Sequence, residues 1–200
     1  MEITADIVKK LRDKTGAPMM DCKKALQETD GNEEKAIDFL RKKGSKVAEK
    51  RADKAANQGA IEAYIHAGSR IGVMIELSCE TDFVAKTDGF KALAKEIAMQ
   101  VAAMNPKFVK REEVPQEVLD REIEIYKTQA KTEGKPEHIL QKIAEGRLDK
   151  FYSEVCLMEQ SFIKDPNKTI KDLIMDEIGK IGENISIRRF VRFQLGDENN

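Results

Sequence analysis

Tryptophan is absent from this 200-residue chain, proline occurs five times and cysteine three, and aromatic residues make up 6%. Few prolines leave long stretches free to be helical. Cys22, Cys79 and Cys156 are odd in number and far apart, which excludes a disulfide framework or a clustered zinc site and suits a reducing compartment. No segment approaches the roughly 18 consecutive apolar residues of a membrane span. Neither charge dominates: 35 Lys+Arg face 36 Asp+Glu, a net charge of −1. That balance excludes whole-molecule attraction to nucleic acid or a membrane surface, though not a local patch. Neither G-x-x-x-x-G-K-[ST] nor G-x-G-x-x-G occurs, so the familiar phosphate-cradling loops are missing. The opening Met1-Glu2-Ile3-Thr4-Ala5-Asp6 is acidic and polar where a secretory signal is basic and then apolar. The expected location is therefore the cytoplasm.

What is present is a charged (36%) and moderately apolar (40%) composition, that of a helix-rich globular protein. Ile7, Val8 and Leu11 sit at helical spacing behind Thr4, an N-cap candidate, and Gly16 stops that helix. Pro18 opens a second helix carrying Met19, Met20, Ala25 and Leu26, and Asp30-Gly31-Asn32 is turn chemistry. A third helix is predicted from Glu33 to Lys43, acidic at its start and basic before Gly44, as the helix dipole favours. Past Gly59 the period changes to two. Ile61, Ala63 and Ile65, then Ile71, Val73, Ile75, Leu77 and Cys79, alternate with other residues across Gly68-Ser69, an antiparallel hairpin. A third alternating run, Ile185, Ile187, Val191, Phe193 and Leu195, is interrupted by Arg189, which predicts a bulge or an edge strand. Helical stripes lie between: Phe90, Leu93, Ile97, Val101 and Met104; then Leu119, Ile123 and Tyr126; then Leu140, Ala144, Leu148, Phe151 and Val155. The latter two flank Gly134-Lys135-Pro136 and read as a helical hairpin at about 116–157, and Thr169 to Ile181 is a further helix. The expected class is α+β: a three-helix domain at 1–45, a basic linker at 46–58, and a core at 59–200 built on a small three-stranded antiparallel sheet.

Chemistry is scarce. His66 and His138 are isolated from each other and from the cysteines, and read as structural. Cys79 lies beside Glu80 and Asp82, whose charges oppose the thiolate a nucleophile needs. Arg41 to Lys54 holds seven basic residues against two acids; it reads as a solvated linker, irregular or helical, or as a strip for an acidic partner or RNA, without an aromatic to stack on bases. Two places stand out. Thr81-Asp82-Phe83-Val84 puts an aromatic and a valine in a polar turn, where Phe83 either caps the local core or stands out as an interface anchor. Met19-Met20 cannot both face one helix core, so one is expected outward as an adaptable contact.

These segments carry a resemblance. Thr15-Gly16-Ala17-Pro18-Met19-Met20-Asp21-Cys22-Lys23-Lys24-Ala25-Leu26 is similar to the N-terminal signature of the translation elongation factor Ts family, and Glu80-Thr81-Asp82-Phe83-Val84-Ala85-Lys86 resembles its second signature. Gly146-Arg147-Leu148-Asp149-Lys150-Phe151-Tyr152 and Gly182-Glu183-Asn184-Ile185 resemble further blocks, so the likeness runs from about Ile3 to Gly196. The short chain resembles the compact branch with one core repeat. The resemblance implies a ubiquitin-associated-type N-terminal domain and an antiparallel-sheet core with a helical hairpin. It also implies a guanine-nucleotide exchange factor, not an enzyme and without a cofactor, acting on the GTPase elongation factor Tu. By that likeness Thr81, Asp82, Phe83 and Val84 are expected at the partner, with Phe83 entering an apolar slot and displacing elements near the bound Mg²⁺. Leu11, Met19 and Met20 match positions that touch the same GTPase domain. Gln100 stands where the family often has His, and its amide still offers a hydrogen bond to the partner. Single-core members act in some cases as homodimers, which makes a second copy a further expected partner; a membrane and direct nucleic-acid binding are not expected.

Overall fold

The computed structural model describes residues 3–197. Helix α1 (Ala5–Thr15) starts behind Thr4, whose carbonyl accepts the Val8 N–H at 3.2 Å while its side chain makes no capping bond. It ends at Gly16, in the left-handed region at φ +68°, whose N–H returns to the Arg12 carbonyl at 2.7 Å. Helix α2 (Met19–Glu28) follows Pro18 at the N-cap. The chain reverses through Asp30 and Gly31, both at positive φ, and Asn32 caps helix α3 (Glu33–Arg51) by accepting the Lys35 N–H at 3.0 Å. Val8, Leu11, Cys22, Ala25, Leu26 and Ala36 close a small core among the three helices.

Helix α3 outruns its expected end at Lys43. Gly44 lies inside the helix, and residues 46–51 of the expected linker continue it. The reason lies far along the chain, where helix α8 (Ile170–Ile181) crosses α3. A Cβ on Gly179 would sit 2.6 Å from the Gly44 Cα, so the close approach requires glycine at 179, while Gly44 is the helical residue it approaches and not a stop.

Strand β1 (Gln58–Ile65) and strand β2 (Ile71–Cys79) form the expected hairpin, turning through Gly68 and Ser69 at φ +87° and +54°. After β2 come a one-turn helix, α4 (Asp82–Ala85), and helix α5 (Asp88–Met104), on which Phe90, Ile97 and Val101 are fully buried. Helices α6 (Gln116–Thr132) and α7 (Leu140–Val155) pack as a hairpin. Arg147 of α7 ties them together, donating to Gln129 at 3.0 Å and Glu133 at 2.9 Å. Strands β3 (Ser161–Phe162) and β4 (Asp165–Thr169) make a small antiparallel pair that leaves no alternating pattern in the sequence, because one strand has two residues and the other contains Pro166. Strand β5 (Ile185–Gln194) completes a three-stranded antiparallel sheet in the order β1-β2-β5, so the class is α+β. Arg189 is therefore on an edge strand, donating to Glu76 at 2.7 Å.

The described residues divide into two compact units. The first contains the residues through Ala60 with Leu77–Lys91 and Asp172–Ser186. The second contains Ile61–Glu76, Ala92–Lys171 and the described residues from Ile187 onward.

Candidate functional site

In the first unit, β2 ends at buried Cys79, whose thiol donates to the Thr81 carbonyl at 3.1 Å and so folds the chain back on itself. Thr81 is extended at the N-cap of α4, and its hydroxyl accepts the Val84 N–H at 3.4 Å. The same hydroxyl donates to Glu183 Oε1 at 2.7 Å, and the Thr81 N–H donates to Glu183 Oε2 at 3.0 Å. Glu80 makes the reciprocal contact, accepting the Asn184 N–H at 2.7 Å and Arg51 Nη1 at 2.9 Å. The Asn184 side chain donates to the Lys54 carbonyl at 2.7 Å. Two carboxylates thus cross-link the turn at 80–81, the turn at 183–184 and the end of α3.

On this base α4 buries Ala85, half-buries Val84 and leaves Asp82 and Phe83 outside. Phe83 is 80% exposed, so the core-cap alternative does not hold. Lys86 donates to Asp82 at 2.6 Å, and this hydrogen bond first, then the Lys86 charge, holds the Asp82 carboxyl below its ordinary range. Burial, followed by the Glu183 charge, pushes the Cys79 thiol up, and burial pushes Cys156 up to about 11. Such thiols are poor nucleophiles at neutral pH.

The other expected contact residues part company. Met19 and Met20 are both exposed, more than the single outward methionine expected, because Cys22, Ala25 and Leu26 take the inward face of α2. Leu11, expected at the partner, is instead fully inside the three-helix core. Gln100, also expected at the partner, is fully buried in the second unit, where its amide is occupied internally. Its nitrogen donates to Gln160 Oε1 at 3.2 Å and to the Ser161 carbonyl at 3.1 Å, and its oxygen accepts the Ile163 N–H at 2.9 Å. Leu11, Met19, Met20 and Thr81–Val84 share the first unit. Sequence reasoning misses Glu80, Arg51 and Glu183 as site residues, since no spacing rule joins positions 81 and 183.

In the second unit, one face of the sheet exposes Ile61, Ile65, Met74, Val191 and Phe193. Ile61, Met74 and Val191 line one shallow hollow with the Glu76–Arg189 ion pair. Among the described residues there is no His/Cys/Asp/Glu group able to hold a metal, and no helix is long and apolar enough to cross a membrane.

Comparison with known proteins places the chain. The family model for elongation factor TS matches residues 1–197. The chain belongs to the elongation factor Ts family. An elongation factor Ts of Carboxydothermus hydrogenoformans is 60% identical over 195 residues, covering 98% of this chain and 90% of the relative. One from Thermoanaerobacter sp. strain X514 is also 60% identical, over 98% of this chain and 96% of its own length. One from Geobacter sulfurreducens is 57% identical over 197 residues, with 98% and 91% covered. Membership of the elongation factor Ts family makes this protein a translation elongation factor, at work in protein biosynthesis.

Proposed function

We propose that the protein is a cytoplasmic guanine-nucleotide exchange factor that binds the GTPase domain of elongation factor Tu and speeds GDP release. The observation that carries this is Phe83, an aromatic ring 80% exposed on a turn that carboxylates fix from below. Exchange breaks no covalent bond. It requires that the factor bind the empty GTPase better than the GDP-loaded one, and linkage makes the preference reciprocal. Mg²⁺ neutralises the nucleotide phosphates, so a ring that displaces its surroundings weakens the hold on GDP. Burying one Phe contributes roughly 1.5–3 kcal/mol. At about 1.4 kcal/mol per tenfold, that supplies one or two decades. The remainder falls to Asp82, Val84 and the exposed Met19 and Met20, whose unbranched side chains adapt to an irregular surface. Leu11 and Gln100 enter this reading through the shape they maintain, not through contact.

The test is Phe83→Ala in stopped-flow release of fluorescent GDP from the cognate GTPase. The ring touches solvent, so the variant is expected to fold normally and to lose at least about tenfold in stimulated release. An unchanged rate would remove Phe83 from the mechanism. In the basic segment Lys43 pairs with Asp21 and Arg51 with Glu80, so these two charges are engaged within the chain.

A second reading concerns assembly. The apolar row Ile61, Ile65, Met74, Val191 and Phe193 on one sheet face is a surface that a second copy of the chain would cover. A twofold contact would set each Glu76–Arg189 pair within the same patch on both copies.

A further inference from the structure

We propose that Glu183 is a positioning residue for exchange, setting the pose of Phe83 through Thr81. This deepens the exchange reading and rests on it. Helix α4 has only four residues, far too few to be stable by its own hydrogen bonds, so its orientation comes from what grips its first residue. Both Glu183 oxygens do so, one on the Thr81 N–H and one on the Thr81 hydroxyl, at 3.0 and 2.7 Å. The hydroxyl is thereby held where it also caps Val84. Glu80 locks the other direction, since it accepts the backbone N–H of Asn184, the residue next to Glu183. The two turns hold each other, and Arg51 joins them to α3. Behind this, Cys79 donates to the Thr81 carbonyl, so the N–H, hydroxyl and carbonyl of Thr81 are all engaged. Phe83, two residues on, is 80% exposed, so its direction is set chiefly by the backbone of α4 beneath it. An aromatic wedge on a loose turn would lose conformational freedom on entering its slot, whereas a clamped one has lost it on folding.

The experiment is a double-mutant cycle on stimulated release of fluorescent GDP, with melting temperature measured for each variant. Glu183→Ala and, independently, Thr81→Val are each expected to slow release about three- to tenfold. On a Phe83→Ala background neither should cost more than about twofold, because the residue they position is gone. Glu183→Gln, which keeps one acceptor oxygen but turns an NH₂ toward a donor, should fall between wild type and Glu183→Ala. Hydrogen exchange at residues 81–85 should accelerate in Glu183→Ala; if that variant does not fold, Thr81→Val and Glu183→Gln carry the cycle. Additive losses in the double variants, or full-rate release by the single ones while Phe83→Ala is impaired, overturn the clamp and leave the exchange reading standing. Wild-type release by Phe83→Ala itself overturns both.

Discussion

Phe83 and Phe193 are the same residue type, 80% and 67% exposed, yet they stand on surfaces of different construction. Phe83 is a single ring on a one-turn helix, with acidic and basic neighbours in Asp82 and Lys86 and a carboxylate clamp beneath. Phe193 sits on an edge strand in a row of exposed aliphatic side chains that share one face of a sheet. A lone held ring is suited to entering a slot, where direction matters. A broad apolar face is suited to association by area, where no single side chain decides. Exposure alone does not distinguish the two; what lies underneath does.

The contrast breaks most readily at its strong end. Phe83→Ala should cost at least about tenfold in stimulated GDP release, while Phe193→Ala, read in the same stopped-flow assay, should leave release near wild type. Equal losses from both would dissolve the distinction. Val191→Asp puts a charge into the middle of the apolar face and should weaken self-association about tenfold or more by sedimentation; a concentration-independent monomer in the wild type would refute the assembly reading outright. Gln100→Leu probes stability instead of contact. It strands the Ile163 N–H, the Ser161 carbonyl and Gln160, so thermal unfolding should show a loss of about 1–3 kcal/mol with exchange by the folded protein intact. Met20→Ala is the mildest change. A shift of about twofold in affinity for the nucleotide-free GTPase by calorimetry is expected, as for a peripheral contact in a large interface.

Much of the fold was legible because special backbone geometry leaves a chemical trace. Gly16, Asp30-Gly31 and Gly68-Ser69 mark left-handed turns that few residues tolerate, and each falls where the chain reverses. The sheet was readable from alternation, but alternation names two faces without saying which is covered. Along β1 the face of Ile61 and Ile65 is the open one, while Glu62 and Tyr64 are half-buried. Gly44 looked like a stop because local chemistry cannot show that Gly179 approaches it from 135 positions away along the chain. At the site, Phe83 was conspicuous as an aromatic in a polar stretch. Glu183 was silent, since a carboxylate near a glycine turn has no signature until the topology brings Thr81 to it. Leu11 and Gln100 show the opposite limit: a likeness in motif marks a position as important without saying whether its side chain faces in or out.

Because α3 runs unbroken through Gly44, its 19 residues form a rod of about 28 Å. The first unit therefore presents the methionine pair and the aromatic turn on one stiff frame, not on modules joined by a string. A client must meet both at a spacing decided before the encounter. If the exchange reading holds, a client that fits at one point only would have to bend to gain the other, and the distortion would fall on it and not on the factor.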